Sequence, residues 1–293
     1  MKHELDGVSF ELREDLDLSV LRRYGRVFTA FDGNDSGNIS FGVEGERGKY
    51  FIKLAYADGS NGVVPKSEVV ETLKKAMPLY EVLRHNALIE LVEHFSHGDA
   101  YVAVFKWADG ECLQDHWNFD RYADTGEQSP QQRFRELSLE KRLRSFEVVC
   151  DFIRTVAERG YVAIDFYDGS IMYDFATDTT TICDIDFYEK SPHNVGDGIV
   201  WGSTRFVAPE ECIPGSVLDE VSNVFTLGAT AFIYFGGVMR GFVGSGSRER
   251  ENWQLGAARY AVALRAVAEN KAERFQSVSE FINAWINAEE MGD

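Results

Sequence analysis

The sequence has 293 residues, enough for one large domain or two, and 44% of them are hydrophobic. This composition is typical of a folded globular protein and excludes an intrinsically disordered chain. The chain carries 30 Lys and Arg residues against 48 Asp and Glu residues, a formal net charge of −18. Because proteins that bind nucleic acid need a basic surface, this balance argues against a nucleic-acid partner.

No stretch of the sequence indicates secretion or a membrane span. Met1–Asp17 carries charges throughout and lacks the apolar core of a signal peptide. The most apolar run, Val224–Met239, is short for a membrane span and contains Gly and Thr, so it predicts a buried helix. The 4 cysteines form no Cys-x-x-Cys pair, which indicates reduced thiols rather than a zinc or disulfide framework. We therefore expect a cytoplasmic protein.

The first part of the chain predicts a sheet with one helix. Residues 1–23 predict an arm with a short helix at Leu16–Arg23. A helix is predicted to begin at Pro65, and Pro78 is expected to kink or interrupt it. Five antiparallel strands are predicted from their apolar and β-branched runs and the turn residues between them: Tyr24–Phe31, Ile39–Glu44, Lys49–Ala55, Leu88–Phe95 and Tyr101–Phe105.

Beyond the last of these strands the sequence is mostly helical. We therefore predict two domains, residues 1–106 and 107–293. Leu139–Arg159 has apolar residues at helical spacing and predicts a long buried helix. Later helices are predicted at Val221–Phe235, Asn252–Ala268 and Val278–Ala288.

The sheet-rich part contains residues suited to binding phosphate. Gly33 and Gly37 lie in the polar turn Asp32–Asn38, where glycine lets backbone N–H groups approach a phosphate, although such turns are also common without a ligand. Lys53 is a charged residue amid apolar neighbours on a strand, either on an exposed face or held by an acid and directed at a phosphate.

The helical part contains two aspartates at the ends of a small predicted unit. An apolar run ends at Asp165, and a predicted hairpin of Ile171–Phe175 and Thr180–Ile185 around the turn Ala176–Thr179 leads to Asp184. Carboxylates held in this way suit the binding of Mg²⁺ and the orientation of a nucleophile for phosphoryl transfer. The alternative interpretation is a pair of loop carboxylates that cap turns.

Taken together, these motifs resemble the eukaryotic-like (Hanks-type) serine/threonine protein kinase family, in a divergent bacterial form. Phe51-Ile-Lys53-Leu is similar to the family's Val-Ala-Ile-Lys strand, and Tyr161-Val-Ala-Ile-Asp165 lies over its His-Arg-Asp loop. Thr181-Ile-Cys-Asp184-Ile-Asp186 stands where the Asp-Phe-Gly motif is expected.

The later part of the chain resembles the same family. The segment from Gly202 to Glu210 is similar to the one that ends in Ala-Pro-Glu, and the resemblance implies that Arg274 pairs with Glu210. Asn223 stands where the family has an aspartate in its central helix.

The resemblance implies an α+β, bilobal protein kinase-like fold, with a small antiparallel-sheet N-lobe and a larger, mostly helical C-lobe. It implies ATP and Mg²⁺ as cofactors, ATP lying in the cleft between the lobes. Asp165 would be the catalytic base. Lys53 would be held by Glu71, or by Glu68 as second choice. These two acids lie about one turn apart on similar faces of the predicted helix, so either could reach the lysine. The implied metal ligands are Asp184, Asp186 and Ser170, with Asp184 as first choice and Asp186 as the alternative carboxylate. The implied nucleotide contacts are Gly33, Gly37, Ile39, Lys53, Phe105, Lys106 and Ala108.

The departures from the family pattern leave other functions open. Ala163 and Ile164 replace the His-Arg pair, so we expect no switching by a phosphate on the activation loop. Tyr167 replaces a lysine, and Ser170 replaces the metal-binding asparagine. A protein kinase with a protein acceptor is the first hypothesis, and a pseudokinase or a kinase for a small-molecule hydroxyl is the alternative.

Overall fold

The computed structural model describes residues 1–33, 36–59, 64–197, 203–236 and 249–290. The chain divides into two compact units. The first unit comprises Met1–Arg84 and Leu88–Asp109, and the second comprises His85–Ala87 and Gly110–Asp293. The main division thus falls after Asp109, against a predicted boundary after residue 106.

The first unit is an antiparallel sheet with one helix. Its elements, in chain order, are β1 (Lys2–Leu5), β2 (Val8–Glu11), β3 (Arg26–Phe31), β4 (Asn38–Gly45), β5 (Gly48–Ala55), α1 (Lys66–Val82), β6 (Leu91–His97) and β7 (Ala100–Lys106). Strands β3 to β7 form a five-stranded antiparallel sheet in the order β3-β4-β5-β7-β6, which confirms the predicted sheet.

An N-terminal hairpin, β1–β2, covers one face of this sheet, where the sequence predicted only an arm. Its Phe10 is buried and packs edge-on against Phe41 of β4, with ring centroids 5.1 Å apart. The predicted short helix is a 3₁₀ helix at Ser19–Arg23. Helix α1 packs on the opposite face, where Tyr80 lies 4.9 Å from Phe105 between ring centroids.

Helix α1 continues through Pro78, so the predicted interruption of the helix there is wrong. Proline removes one intrahelical hydrogen bond. Pro78 lies on the exposed side of the helix, where water can satisfy the carbonyl left without its partner.

The second unit is mostly helical. With the sheet of the first unit it gives the predicted α+β class, which is confirmed. Its elements, in chain order, are β8 (Glu111–Cys112), α2 (Phe119–Thr125), α3 (Pro130–Glu136), α4 (Leu139–Glu158), β9 (Tyr161–Val162), β10 (Ile171–Asp174), β11 (Thr179–Ile182), β12 (Glu189–Lys190), β13 (His193–Asn194), β14 (Val217–Leu218), α5 (Glu220–Phe235), α6 (Ala257–Ala266) and α7 (Val278–Glu290).

Helix α5 is the centre of the second unit. Every residue of it from Val221 to Phe235 is buried. The end of the apolar run that predicted this helix, residues 237–239, lies outside the described residues. Within the described ranges, no helix is both long enough and apolar enough to cross a membrane. None of the four cysteines forms a disulfide bond.

A short segment of the second unit sits on helix α4. The ring of His85 accepts a hydrogen bond from the N–H of Ala87 at 3.1 Å and contacts the carboxylate of Asp151 at 2.9 Å. The hydrogen bond from His85, opposed by burial and assisted by Arg154, lowers the pKa of Asp151. These contacts explain why residues 85–87 belong to the second unit although their sequence neighbours belong to the first.

A buried ion pair joins two distant parts of the second unit. Arg274 donates to both carboxylate oxygens of Glu210, at 2.7 and 2.8 Å, and its side chain is fully buried. The guanidinium also lies 4.8 Å from the ring centroid of Phe225. Burial raises the pKa of Glu210, but the hydrogen bonds and charge of Arg274, together with the bonds from the backbone and from Ser222, outweigh burial and leave the pKa below its usual value. The predicted pairing of Glu210 with Arg274 is confirmed.

We expect Arg274→Ala to lower the free energy of unfolding by about 3–5 kcal/mol, because it leaves the Glu210 carboxylate buried without its partner. The control is Arg144→Ala, which breaks an exposed i,i+4 pair with Glu140 and should cost less than about 1 kcal/mol. Urea unfolding of the two variants measures the difference. Equal losses would contradict the assigned role of the buried pair.

The raised pKa of Glu211 predicts that the stability of the protein depends on pH. Burial raises its pKa to about 7, although the N–H of Ala208 donates to its carboxylate at 2.7 Å. The folded protein therefore holds a proton that the unfolded chain has released, so between about pH 4.5 and 7 this group makes stability fall as the pH rises.

We expect Glu211→Gln to remove that contribution. Melting temperatures of the variant and the wild type, measured from pH 5 to 8, should differ by an amount that grows as the pH rises towards 7 and is constant above it. Parallel melting curves across this range would show that Glu211 titrates normally.

Candidate functional site

Two of the predicted site residues, Asp165 and Asp184, have a left-handed backbone, with φ of 65° and 56°. Among the described residues, the other non-glycine positions with positive φ are Asp6 and Asp178, and both lie in hairpin turns where this conformation is expected. Asp165 and Asp184 instead follow the short strands β9 and β11. Backbone strain of about 1 kcal/mol or more persists where the surroundings enforce it, and it concentrates at functional sites.

A buried amide holds the chain just before Asp165. Asn223, with 0% of its surface exposed, accepts a hydrogen bond from the N–H of Ala163 at 2.8 Å and donates one to the carbonyl of Tyr161 at 3.0 Å. An ionised aspartate could accept the first bond but could not donate the second. This pair of bonds gives a physical reason for asparagine at a position where the kinase family has aspartate.

Ser170 connects the two aspartates within the second unit. Its hydroxyl lies 3.5 Å from the carbonyl oxygen of Asp165, and its own carbonyl accepts the N–H of Cys183 at 2.9 Å. Strand pairing brings Ile171 opposite Ile182, next to these residues. The fold therefore places Asp165, Ser170 and Asp184 in one neighbourhood.

Asp186 lies beyond the end of the hairpin. The strand predicted at Thr180–Ile185 ends at Ile182, so neither Asp184 nor Asp186 is part of it. Asp186 is buried and sits in a turn, closed by a hydrogen bond of 3.2 Å from the N–H of Tyr188 to the carbonyl of Ile185.

Two phenols lie close to both aspartates. Burial, and then the charges of Asp165 and Asp184, raise the pKa of Tyr167 and of Tyr188, so both are neutral hydrogen-bonding groups at physiological pH. The ring of Tyr167 lies over Gly169, where an added Cβ would come within 2.2 Å of it. Glycine at position 169 thus makes room for the tyrosine that replaces the family's lysine.

Sequence reasoning missed a buried ion pair beside this loop. Arg205 donates to both oxygens of Asp168, at 2.7 and 2.6 Å, and Gln131 of α3 donates to the same carboxylate at 2.6 Å. Burial raises the pKa of Asp168, and the hydrogen bonds and charge of Arg205 oppose it. The pair connects the loop after Asp165 to the segment that begins at Ser203. Gly202, the residue before this segment, lies outside the described residues. The sequence signal for this pair was limited to Arg205 itself, which lies in the segment that resembles the kinase family. Asp168 is 37 residues away, so no local pattern links the two.

In the first unit, Lys53 lies on the face of the sheet that α1 covers. It is half-buried, and strand pairing places Ser40 and Ala103 directly opposite it. Phe51 and Phe105 share this face and pair across strands. The lysine therefore emerges from an apolar surface, as the sequence pattern predicted.

Ile39 does not lie on the face of Lys53. It pairs with Leu54, is 1% exposed, and packs in the core beneath the N-terminal hairpin. Because side chains alternate along a strand, two neighbouring residues point to opposite faces of the sheet. The register thus places Ser40, and not Ile39, beside Lys53, which corrects the predicted nucleotide contact.

Helix α1 also separates the two candidate partners of Lys53. Glu71 lies two residues from both Val69 and Leu73, which are buried, so helical geometry puts it on the opposite side. Its carboxylate is 54% exposed and lies 3.5 Å from the ammonium group of Lys74. Glu68 is exposed as well, but it lies one residue before Val69 and therefore closer to the packed side of the helix.

The remaining predicted nucleotide contacts lie at the glycine turn, at the last residue of β7 and just beyond it. Gly37 has a φ of 82°, and an added Cβ would come within 2.2 Å of the carbonyl of Ala57, so only glycine fits. Gly33 is exposed, and residues 34–35 between the glycines lie outside the described part. Lys106 pairs with Glu90 at 2.6 Å and precedes a half-buried Ala108.

The donor set of the second unit suits a hard cation. In the described ranges there is no group of three or more His, Cys, Asp and Glu side chains that could hold a metal ion by itself. Mg²⁺ is usually held by one or two carboxylates together with the phosphates of a substrate. The oxygen atoms of Asp184 and Ser170 fit that requirement.

We expect Asn223→Asp, which introduces the residue of the kinase family, to lower the free energy of unfolding by about 2 kcal/mol or more, because it buries a charge and leaves the carbonyl of Tyr161 without a donor. The control is Asn194→Asp, at an exposed position of β13 where the added charge remains in water. Urea unfolding compares the two. A variant at position 223 as stable as the wild type would contradict this pair of bonds.

Comparison with known proteins yields a match in fold. The chain is similar to the structure of a protein kinase, PK-1, of the Cydia pomonella granulovirus, with a TM-score of 0.64 and 14% sequence identity over 88% of this chain and 92% of that one. No protein-family model and no curated protein sequence matches the chain. The likeness shows a protein-kinase-like fold.

Proposed function

We propose that the protein is an ATP- and Mg²⁺-dependent phosphotransferase, a divergent serine/threonine protein kinase that transfers the γ-phosphate to a hydroxyl group. The observation that carries the proposal is the left-handed backbone of Asp165 and Asp184, both fixed within one neighbourhood of a kinase-like fold. Aspartates with a left-handed backbone, one following a segment bonded to a buried amide and the other following a strand pair, suit a fixed reaction geometry better than they suit the capping of turns.

In this proposal the second unit supplies the chemistry. Asp165 orients the acceptor hydroxyl and accepts its proton, and Asp184 with Ser170 holds the cation, Asp186 being the alternative ligand. Mg²⁺, when bound, supplies neutralisation of charge on the phosphates. The buried Asp168–Arg205 pair holds the loop after Asp165 in place through side chains alone, which fits the expectation of no phosphate switch.

The first unit binds the nucleotide in this proposal. Lys53 contacts the phosphates, and helical geometry favours Glu68 over Glu71 as the acid that holds it. Gly33 and Gly37 bring backbone N–H groups to the phosphates. Phe105, Lys106 and Ala108 form the adenine contact, with Ser40 in place of Ile39 on the sheet face.

Two observations favour a second candidate, a pseudokinase that binds nucleotide without transfer. Tyr167 is a neutral phenol where a lysine would stabilise charge on the transferred phosphate, and Ser170 offers one hydroxyl where the family has an amide. A kinase for a small-molecule hydroxyl also fits, because the net charge of −18 would attract a cationic acceptor.

We expect Mg²⁺ with ATP to raise the melting temperature of the wild type, since a ligand that binds only the folded state stabilises it. Asp184→Asn should remove this shift. Asp165→Asn should keep the shift but lower phosphate transfer by a factor of about 100 or more, the usual range for a general base. Labelled ATP, offered with protein and small-molecule acceptors, measures the transfer.

The matched control is Asp174→Asn, a half-buried aspartate of the same hairpin whose turn contact to the N–H of Ala176 an asparagine can also make. It should leave both the thermal shift and the transfer unchanged. If ATP stabilises the wild type but no acceptor gains label, the pseudokinase is correct. If ATP does not stabilise the wild type, neither nucleotide function holds.

A further inference from the structure

The N-terminal hairpin β1–β2 is hydrogen-bonded to the beginning of the glycine turn. Asp32, directly before Gly33, accepts a hydrogen bond of 2.7 Å from the backbone N–H of Glu11, the last residue of β2. The hairpin thus holds the chain at the position where it leaves β3 and enters the turn.

The segment after the hairpin reaches the end of the same turn. The carbonyl of Gly37 accepts a hydrogen bond from the N–H of Tyr56 at 3.3 Å, and the hydroxyl of Tyr56 accepts one from the N–H of Arg13 at 3.0 Å. The guanidinium of Arg13 also donates to the carbonyl of Asp58 at 3.2 Å. Both ends of the turn are therefore connected to one N-terminal segment.

This N-terminal segment is fixed by apolar packing. Phe10 is 3% exposed and Leu12 is 1% exposed, and both belong to the core of the first unit. Their neighbours Glu11 and Arg13 donate the two backbone bonds to Asp32 and Tyr56. The bonds thus originate from a backbone that the hydrophobic core already holds in place.

We propose that the N-terminal hairpin positions Gly33 and Gly37 for phosphate binding, with Asp32 and Tyr56 as the positioning residues; this inference rests on the nucleotide-binding function proposed above. Fixing backbone groups on binding lowers affinity, so glycines whose positions are fixed beforehand bind phosphate more tightly. The hairpin therefore acts on nucleotide affinity and leaves the transfer step unchanged.

The hairpin offers a matched control at its other end. The carboxylate of Asp6 accepts the N–H of Val27 at 2.8 Å, a bond of the same type that joins the hairpin to the start of β3, far along the strand from Asp32. Asp6 has a φ of 57°, so Asp6→Gly removes this bond without backbone strain.

The test is calorimetric titration of the full chain with a non-hydrolysable ATP analogue and Mg²⁺. Asp32→Ala should weaken binding about tenfold, the effect of losing one hydrogen bond to a charged group. Asp32→Asn, whose amide oxygen accepts the same N–H, should restore affinity to within about twofold of the wild type. Asp6→Gly should lower the melting temperature but leave the affinity within the same twofold range, and at saturating ATP the turnover of Asp32→Ala should equal that of the wild type.

Tyr56→Phe tests the other end of the turn and should weaken binding in the same direction. The proposal is overturned if the wild type binds the analogue and Asp32→Ala binds it as tightly as the wild type does. Equal weakening of binding by Asp32→Ala and Asp6→Gly would overturn it too. It is also overturned if Asp32→Asn behaves like Asp32→Ala, because the carboxylate charge would then be responsible. A wild type that does not bind the analogue would remove the proposed function itself, and the inference with it.

Discussion

The geometry of the second unit depends on the two hydrogen bonds that Asn223 makes from inside the molecule. Helix α5 is buried along its described length from Val221, so a polar side chain on it must find partners within the protein. Asn223 finds them in the backbone of the segment that leads to Asp165, with one donor and one acceptor. The most buried helix of the second unit is thereby attached to the residue proposed to accept a proton.

Buried ion pairs extend this arrangement to the neighbouring segments. Asp168–Arg205 holds the loop after Asp165, and Glu210–Arg274 holds the segment after it against the last part of the chain. Buried pairs of this kind add little net stability, but each is costly to break, so they favour one arrangement over its alternatives. A site fixed by such pairs needs no added phosphate group to order it, which agrees with the absence of a phosphate-binding arginine before Asp165.

The sequence predicted those parts of the fold that local patterns encode. The five strands, the long helix α4 and the buried helix α5 follow from periodicity and turn residues, and the pairing of Glu210 with Arg274 followed from the family resemblance. It missed the hairpin β1–β2, because four-residue strands leave almost no periodic signal. It missed the pair of Asp168 with Arg205, because no spacing rule links residues so far apart. Ile39 was implied as a nucleotide contact by the family resemblance alone, and only the pairing of its strand with β5 reveals which face of the sheet it occupies.

The proposed function assigns complementary tasks to the two units, with a lysine and a glycine turn in one and two strained aspartates in the other. The direct test is an experimental structure of the full chain with a non-hydrolysable ATP analogue and Mg²⁺. The account predicts a single nucleotide with the ammonium group of Lys53 on its phosphates and the carboxylate of Asp184 on the metal. A nucleotide that contacts neither residue, or one that binds with Lys53 while Asp184 has no contact with the metal, would contradict it.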